Sequence, residues 1–186
     1  MKIKILTVLF AILSLTSCKN DTKKADDEVK ENVTKDDFFR IAFKLKVAKD
    51  DNMHLYYTVD GSINFQEDKS VWMPVKGSDK EQEIVFTLPE GIVPSTVRID
   101  FGFGKNELQS DIDLKEFKLS YFGKQQSVKG LDILKYFIPF KGYTIIPAGS
   151  TILQRATKGQ ASGPILYPQA PLAVMINKLS GGASPE

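Results

Sequence analysis

Between Phe39 and Val47 the apolar side chains fall at every second position. Phe39, Ile41, Phe43, Leu45 and Val47 share one parity, while Arg40, Ala42, Lys44 and Lys46 hold the other. A period of two puts these sets on opposite sides of an extended chain, whereas a helix would scatter them around its circumference. The stretch is expected to be a strand with one buried face. After an Asp50-Asp51-Asn52 turn the pattern recurs: Met53, Leu55, Tyr57 and Val59 point inward, with His54, Tyr56 and Thr58 opposite. Asp60-Gly61 ends that run as a turn pair. Val71, Met73 and Val75 then alternate with Trp72 and Pro74. Pro74 has no N–H to give a neighbour, so this run belongs at a sheet edge or a strand end.

Ile84, Phe86 and Leu88 follow, closed by Pro89-Glu90-Gly91, and then Val97, Ile99 and Phe101 alternate with Arg98 and Asp100. A glycine-rich turn at 102–106 leads to a slip of parity. Ile112 and Leu114 define one face, but Phe117, Leu119 and Tyr121 resume an odd step later. Only an extra residue keeps both groups on the same side, which predicts a β-bulge at Lys115-Glu116. A short strand over Gln125 to Val128 completes six or seven runs spaced by turns. The fold class expected is mainly β: an antiparallel, jelly-roll-like sandwich over residues 38–130.

Beyond Gly130 the texture changes. Residues 131–137 suit one or two helical turns, and 138–168 are rich in Pro and Gly with isolated apolar clusters. Pro171 suits a first helical position. Leu172, Met175, Ile176 and Leu179 then fall on one helical face, and Gly181-Gly182 ends the helix. The expectation for 131–180 is an irregular extension with short helices packed on the sandwich, followed by a disordered tail at 181–186.

The amino-terminal end has a different character. Lys2 and Lys4 precede an apolar run from Ile5 to Leu15, the length of a signal peptide and too short to cross a bilayer as a helix. It ends in Leu15-Thr16-Ser17-Cys18, which resembles the lipobox of bacterial lipoproteins, with Leu at −3, Ser at −1 and Cys at +1. The resemblance implies a signal peptide over 1–17, cleavage before Cys18, and acyl chains on that residue. Two or three chains anchor stably where one is marginal. Residues 18–37 then form a charged linker with only Ala25, Val29 and Val33 as aliphatics, too few to offset ordering entropy. As a coil it would span about 25 Å. Lys19 at +2 favours outer-membrane delivery, and Asp21, Asp26, Asp27 and Glu28 resemble the acidic export signal of Bacteroidota surface lipoproteins. The periplasmic and the cell-surface face both stay open.

Charge and composition exclude several classes. Lys2 and Lys4 fall within the leader, so the remainder balances 23 basic with 23 acidic residues, unlike the one-signed field of a nucleic-acid binder. Cys18 is the one cysteine, so no internal disulfide is possible. The one histidine, His54, rules out a His-based metal cluster, and no Gly-x-Ser-x-Gly elbow accompanies it. Gly102-Phe103-Gly104-Lys105 fits no phosphate-loop or dinucleotide pattern. No metal or cofactor is expected. Asp100, Asp111 and Asp113 are the carboxylates that could be paired for glycoside hydrolysis, a distant third reading. Asp111 and Asp113 share a face about 6.5–7 Å apart along the strand, as any acidic polar face would.

The stretch Val97-Arg98-Ile99-Asp100-Phe101-Gly102, followed by Ile112-Asp113-Leu114-Lys115-Glu116-Phe117-Lys118-Leu119, resembles the late strands of jelly-roll carbohydrate-binding modules and galactose-binding-like domains. The resemblance implies a sandwich that binds rather than catalyses. Tyr56 and Trp72 face away from the apolar rows of their strands, with His54 and Thr58 near Tyr56. Aromatic faces beside polar groups are how proteins stack on sugar rings. Tyr56, Trp72, His54 and Thr58 are therefore the candidate glycan-binding residues. The alternative is an accessory lipoprotein docking on another envelope protein through the apolar tail. Whether that tail covers Trp72 separates the two.

Overall fold

The computed structural model describes residues 36–103 and 111–182. The leader, Cys18 and most of the linker lie outside the described residues, as does most of the glycine-rich turn after Phe103. Among the described residues no helix is long and apolar enough to cross a membrane.

The alternating runs form strands as their parity requires. β1 (Arg40–Lys46) and β2 (Asp51–Thr58) are followed by β3 (Ser70–Val75), β4 (Gln82–Thr87) and β5 (Thr96–Asp100). β6 (Ile112–Tyr121) and β7 (Lys124–Lys129) close the first half. Phe39, Ile41, Phe43, Leu45 and Val47 are fully buried, as are Met53 and Leu55. β3 lies at a sheet edge, where Pro74 costs no ladder bond.

The parity slip resolves as expected. Lys44 of β1 pairs with Glu116 while the adjacent Leu45 pairs with Leu114, so Lys115 is the extra residue. Ile112, Leu114, Phe117 and Leu119 consequently all reach the core.

The region after 130 departs from the expected extension. Two turns of 3-10 helix (Gly130–Lys135) lead into four further strands: β8 (Phe137–Pro139), β9 (Thr144–Ile145), β10 (Ile152–Arg155) and β11 (Ile165–Pro168). These are not a cover over a finished sandwich. β11 pairs with β5 and β8, and β10 pairs with β6 and β9. One sheet runs β4-β1-β6-β10-β9, with β7 sharing an edge of β6, and the other runs β3-β2-β5-β11-β8. The boundary expected at residue 130 therefore falls inside both sheets. Runs of two to four residues broken by proline and glycine are too short to show alternation; their partners impose the extended form.

The sheets face each other across an aromatic centre. Phe43 meets Phe101 of the opposite sheet edge-on at 5.4 Å between ring centroids, and Phe117 meets Phe137 across the same gap at 4.9 Å and 90°. The carboxy-terminal helix α1 (Ala170–Ser180) packs against β5, β6 and β7, burying Leu172, Met175, Ile176 and Leu179 as its spacing predicted. Gly181, at φ 81°, caps it with its N–H on the Asn177 carbonyl.

The β6–β7 hairpin closes through Phe122 and Gly123, at φ 47° and 71°. A two-residue loop that twists with its strands needs positive φ at both positions, which glycine or asparagine meets easily. Phenylalanine there costs about 1–2 kcal/mol.

Candidate binding cleft

The outer face of the β3-β2-β5-β11-β8 sheet carries the polar parity of β2, β3 and β5. Register places Trp72, His54 and Asp100 side by side across three strands, with Ser70, Tyr56 and Arg98 in the next row. His54 stacks on Trp72 with ring centroids 3.7 Å apart and planes 17° from parallel, and on its other side meets Tyr56 at 3.9 Å. Phe103 stands edge-on to Trp72 at 4.9 Å.

Glu67 joins these rings from the 3-10 turn Glu67–Lys69 that precedes β3. Its Oε1 accepts the Trp72 indole N–H at 3.0 Å, and its Oε2 accepts the Tyr56 hydroxyl at 3.2 Å. The opposite wall comes from the loop before β11. Phe103 bridges to Ser162, whose hydroxyl donates to the Gly102 carbonyl at 3.1 Å, while the Gly163 N–H donates to the same oxygen at 3.0 Å. A Cβ at Gly163 would overlap the Phe101 carbonyl, so only glycine permits this approach. Gln160 is buried behind this wall, its amide N–H groups donating to the Tyr143, Ser162 and Gly163 carbonyls.

Between the walls lies a cleft of about 220 Å³, lined by His54, Tyr56, Glu67, Trp72, Asp100 and Phe103 with Gly102, Ala161 and Ser162. Phe103 also borders a wider groove along Asp50–Asn52 and Pro74–Lys76, and its N–H donates to Asp51 at 3.0 Å. It forms a ridge between the two hollows.

Electrostatics divide the site into a sealed half and an open half. Arg98 holds Asp100 with two short bonds, 2.8 Å from Nε and 2.6 Å from a terminal nitrogen. The same guanidinium lies over the Tyr56 and Tyr167 rings at 4.8 and 5.1 Å. Burial raises the Asp100 carboxyl above its ordinary range although Arg98 pulls it down. Burial also works against the Arg98 charge, and the Asp100 partner more than offsets it. Tyr56 is pushed up to about 12, by burial first and then by the negative charges of Glu67 and Asp100. In the open half, the indole N–H keeps Glu67 below the usual carboxylate range. His54 is held below its ordinary value by burial and by nearby Arg98, against the pull of Glu67. It is 3% exposed, and among the described residues its Nε2 has no hydrogen-bond partner, with Glu67 Oε1 3.6 Å away.

Of the four residues singled out by parity, the fold brings His54, Tyr56 and Trp72 together. Thr58 is committed elsewhere: its hydroxyl donates to the Ser62 carbonyl at 2.7 Å and contacts Ser95 Oγ at 3.0 Å, tying a turn. Tyr56 is largely roofed by Arg98 and flanked by Phe65, which in turn meets Tyr167 edge-on, so it belongs to a small second core. Trp72 remains 41% exposed, and the tail forms a wall beside it without covering it. The carboxylates Asp111 and Asp113 sit on the other sheet, accepting from Gln154 at 2.7 Å and pairing with Lys115 at 2.6 Å. Glu67, Phe103, Ala161 and Ser162 escaped the sequence reading. Of these only Phe103 carried a signal, a large aromatic between two glycines of a turn.

No protein-family model, curated protein or solved structure matches this chain.

Proposed function

We propose that this chain is a non-catalytic, lipid-anchored binding protein of the bacterial cell envelope, acylated at Cys18 and taking glycans in the Trp72 cleft. Delivery to the outer membrane, on its periplasmic or surface face, follows from the lipobox resemblance and Lys19. One observation carries the binding reading: Trp72 presents an exposed indole at the mouth of a cleft whose floor holds a buried imidazole nitrogen without a partner. A buried polar atom left unpaired costs free energy that a ligand hydroxyl can recover. The indole offers the apolar face on which a sugar ring stacks, and Glu67 offers lone pairs to its hydroxyls.

Because Trp72 is the one tryptophan, its emission reports directly on the cleft. A glycan array followed by fluorescence titration of the hits tests the reading. Binding that shifts the emission, is lost in Trp72→Ala and is weakened in Glu67→Gln supports it. An array without hits, or affinity indifferent to both changes, rejects it. A second reading, docking on another envelope protein, draws on Ile138, Phe140 and Ile145, which stand exposed along the tail. Co-purification from crosslinked envelopes, lost on changing these three to serine, would favour it.

A further inference from the structure

The tip of the β6–β7 hairpin carries an aromatic that its backbone disfavours and its surroundings leave bare. Among the described residues Phe122 is the one non-glycine residue with positive φ. Its side chain is 53% exposed, propped edge-on against Tyr121 at 4.7 Å. Packing among the described residues accounts for neither fact.

The tip also stands where the chain arrives from its amino terminus. Tyr121 touches Phe39 at 5.5 Å between centroids, Arg40 pairs in register with Ser120, and Arg40 grips Asp36, the first described residue, at 2.6 Å. Exposed Lys124 follows the turn, and its Nζ lies alongside Gly181, which brings the end of α1, with exposed Lys178 in its last turn, to this side of the sandwich. Asp36 stands eighteen residues after Cys18. Even fully extended, that length of chain reaches only about 60 Å.

We propose that the Phe122 hairpin tip is a second membrane contact, seating its ring at the headgroup level of the bilayer that holds the Cys18 acyl chains. This rests on the lipid-anchor reading above. An exposed phenylalanine ring gains by inserting at the boundary of headgroups and acyl chains, and Lys124 and Lys178 complement anionic headgroups. The contact sets an orientation. Only residues 47–50 separate β1 from β2, so the Arg40 end of β1 and the Thr58 end of β2 share one end of the sandwich. The cleft lies toward the opposite end, where β5 runs out through Asp100 to Phe103. With Phe122 on the bilayer, Trp72 looks away from it.

The test uses full-length lipidated protein in vesicles of phosphatidylethanolamine and phosphatidylglycerol. An environment-sensitive dye on Phe122→Cys is expected to blue-shift and to be quenched several-fold more by headgroup-level nitroxide lipids than the same dye on Ile145→Cys, at the far end of the sheet. Equal quenching at the two sites overturns the proposal. In the unlabelled protein, Lys124 and Lys178 are expected to resist reductive methylation several-fold more than Lys158, and Phe122→Gly, which suits the turn, removes that protection. Reactivity unchanged by Phe122→Gly also overturns it. The anchor is read separately: a chain that neither incorporates palmitate nor floats with vesicles refutes the lipid-anchor reading. One that floats with a water-exposed tip refutes the tip contact alone.

Discussion

The imidazole of His54 lies flat on the indole of Trp72, 3.7 Å between centroids, on cross-strand partner positions of β2 and β3. Such a pair contributes about 0.5–1.5 kcal/mol beyond the area it buries, and it shields His54 from water. Trp72→Ala should open one face of the ring. Since burial is the main cause of the low His54 pKa, its titration midpoint is expected to rise toward the ordinary value near 6.5. The chain has one histidine, so proton NMR follows it without assignment. An unmoved midpoint would mean that Trp72 is not what dries the site. Stability is expected to fall by roughly 2 kcal/mol, less than for a fully buried tryptophan.

The same depressed pKa links stability to pH. Between the folded value and about 6.5 the unfolded chain binds more protons than the native one. The stabilisation tied to neutral His54 is complete above that upper limit and declines as pH falls through it toward the folded pKa. Charged groups around the ring are Glu67, Arg98 and Asp100, with the Tyr56 hydroxyl neutral throughout this range. Asp100, raised by burial, contributes with the opposite sign from about pH 4 upward. Urea midpoints at about pH 7.5 and 5.5 should therefore be compared with those of His54→Gln. The variant is expected to lose less stability on acidification than the parent; parallel curves would refute the linkage.

Gly163 offers a steric test of the cleft wall. Its φ is not in the left-handed region, so the cost of Gly163→Ala comes from overlap alone, with the Phe101 carbonyl and the Gly102 Cα. Backbone cannot yield as a flexible side chain can, and overpacking of this kind costs about 1–3 kcal/mol. The Gly163–Gly102 and Phe103–Ser162 contacts should loosen together. Faster amide exchange at Phe103 and Gly163, with an altered Trp72 emission, is the expected signature. Gly61→Ala, where a Cβ meets open space but φ is positive, serves as the control for strain without overlap.

What could be read in advance depended on the length over which a pattern repeats. β1, β2 and β6 alternate for seven to ten residues, enough to fix their faces and even the extra residue in β6. β9, of two residues, and β10 and β11, of four, carry no period of their own; β10 and β11 take their extended form from β6 and β5, distant in sequence, and β9 takes it from β10. The site shows the same limit. Parity put Tyr56, His54 and Trp72 on one face, but it could not show that Arg98 would be drawn over Tyr56 by Asp100 and Tyr167. Nor could it show that Glu67, on a polar loop without period, would gather the indole and the phenol.

Lys115 separates a side chain's contribution from that of its backbone. The Lys115 side chain is partly exposed and, among the described residues, pairs with Asp113, a surface contact worth about 0–1 kcal/mol. Lys115→Ala should therefore change the urea midpoint little. Deleting the residue is a different perturbation. Without Lys115, Leu114 joins Glu116 directly, and Ile112, Leu114, Phe117 and Leu119 alternate with no slip against Leu45, Phe43 and Ile41. All four stay on the core face, so their burial is kept. What is lost is the local bend and added twist of the bulge, just before Ile112 and Asp113 pair with β10. The deletion is therefore expected to retain cooperative urea unfolding, at a cost of no more than about 1–2 kcal/mol. Loss of cooperative unfolding would show that the bend itself, and not the parity it restores, holds β6 against β10.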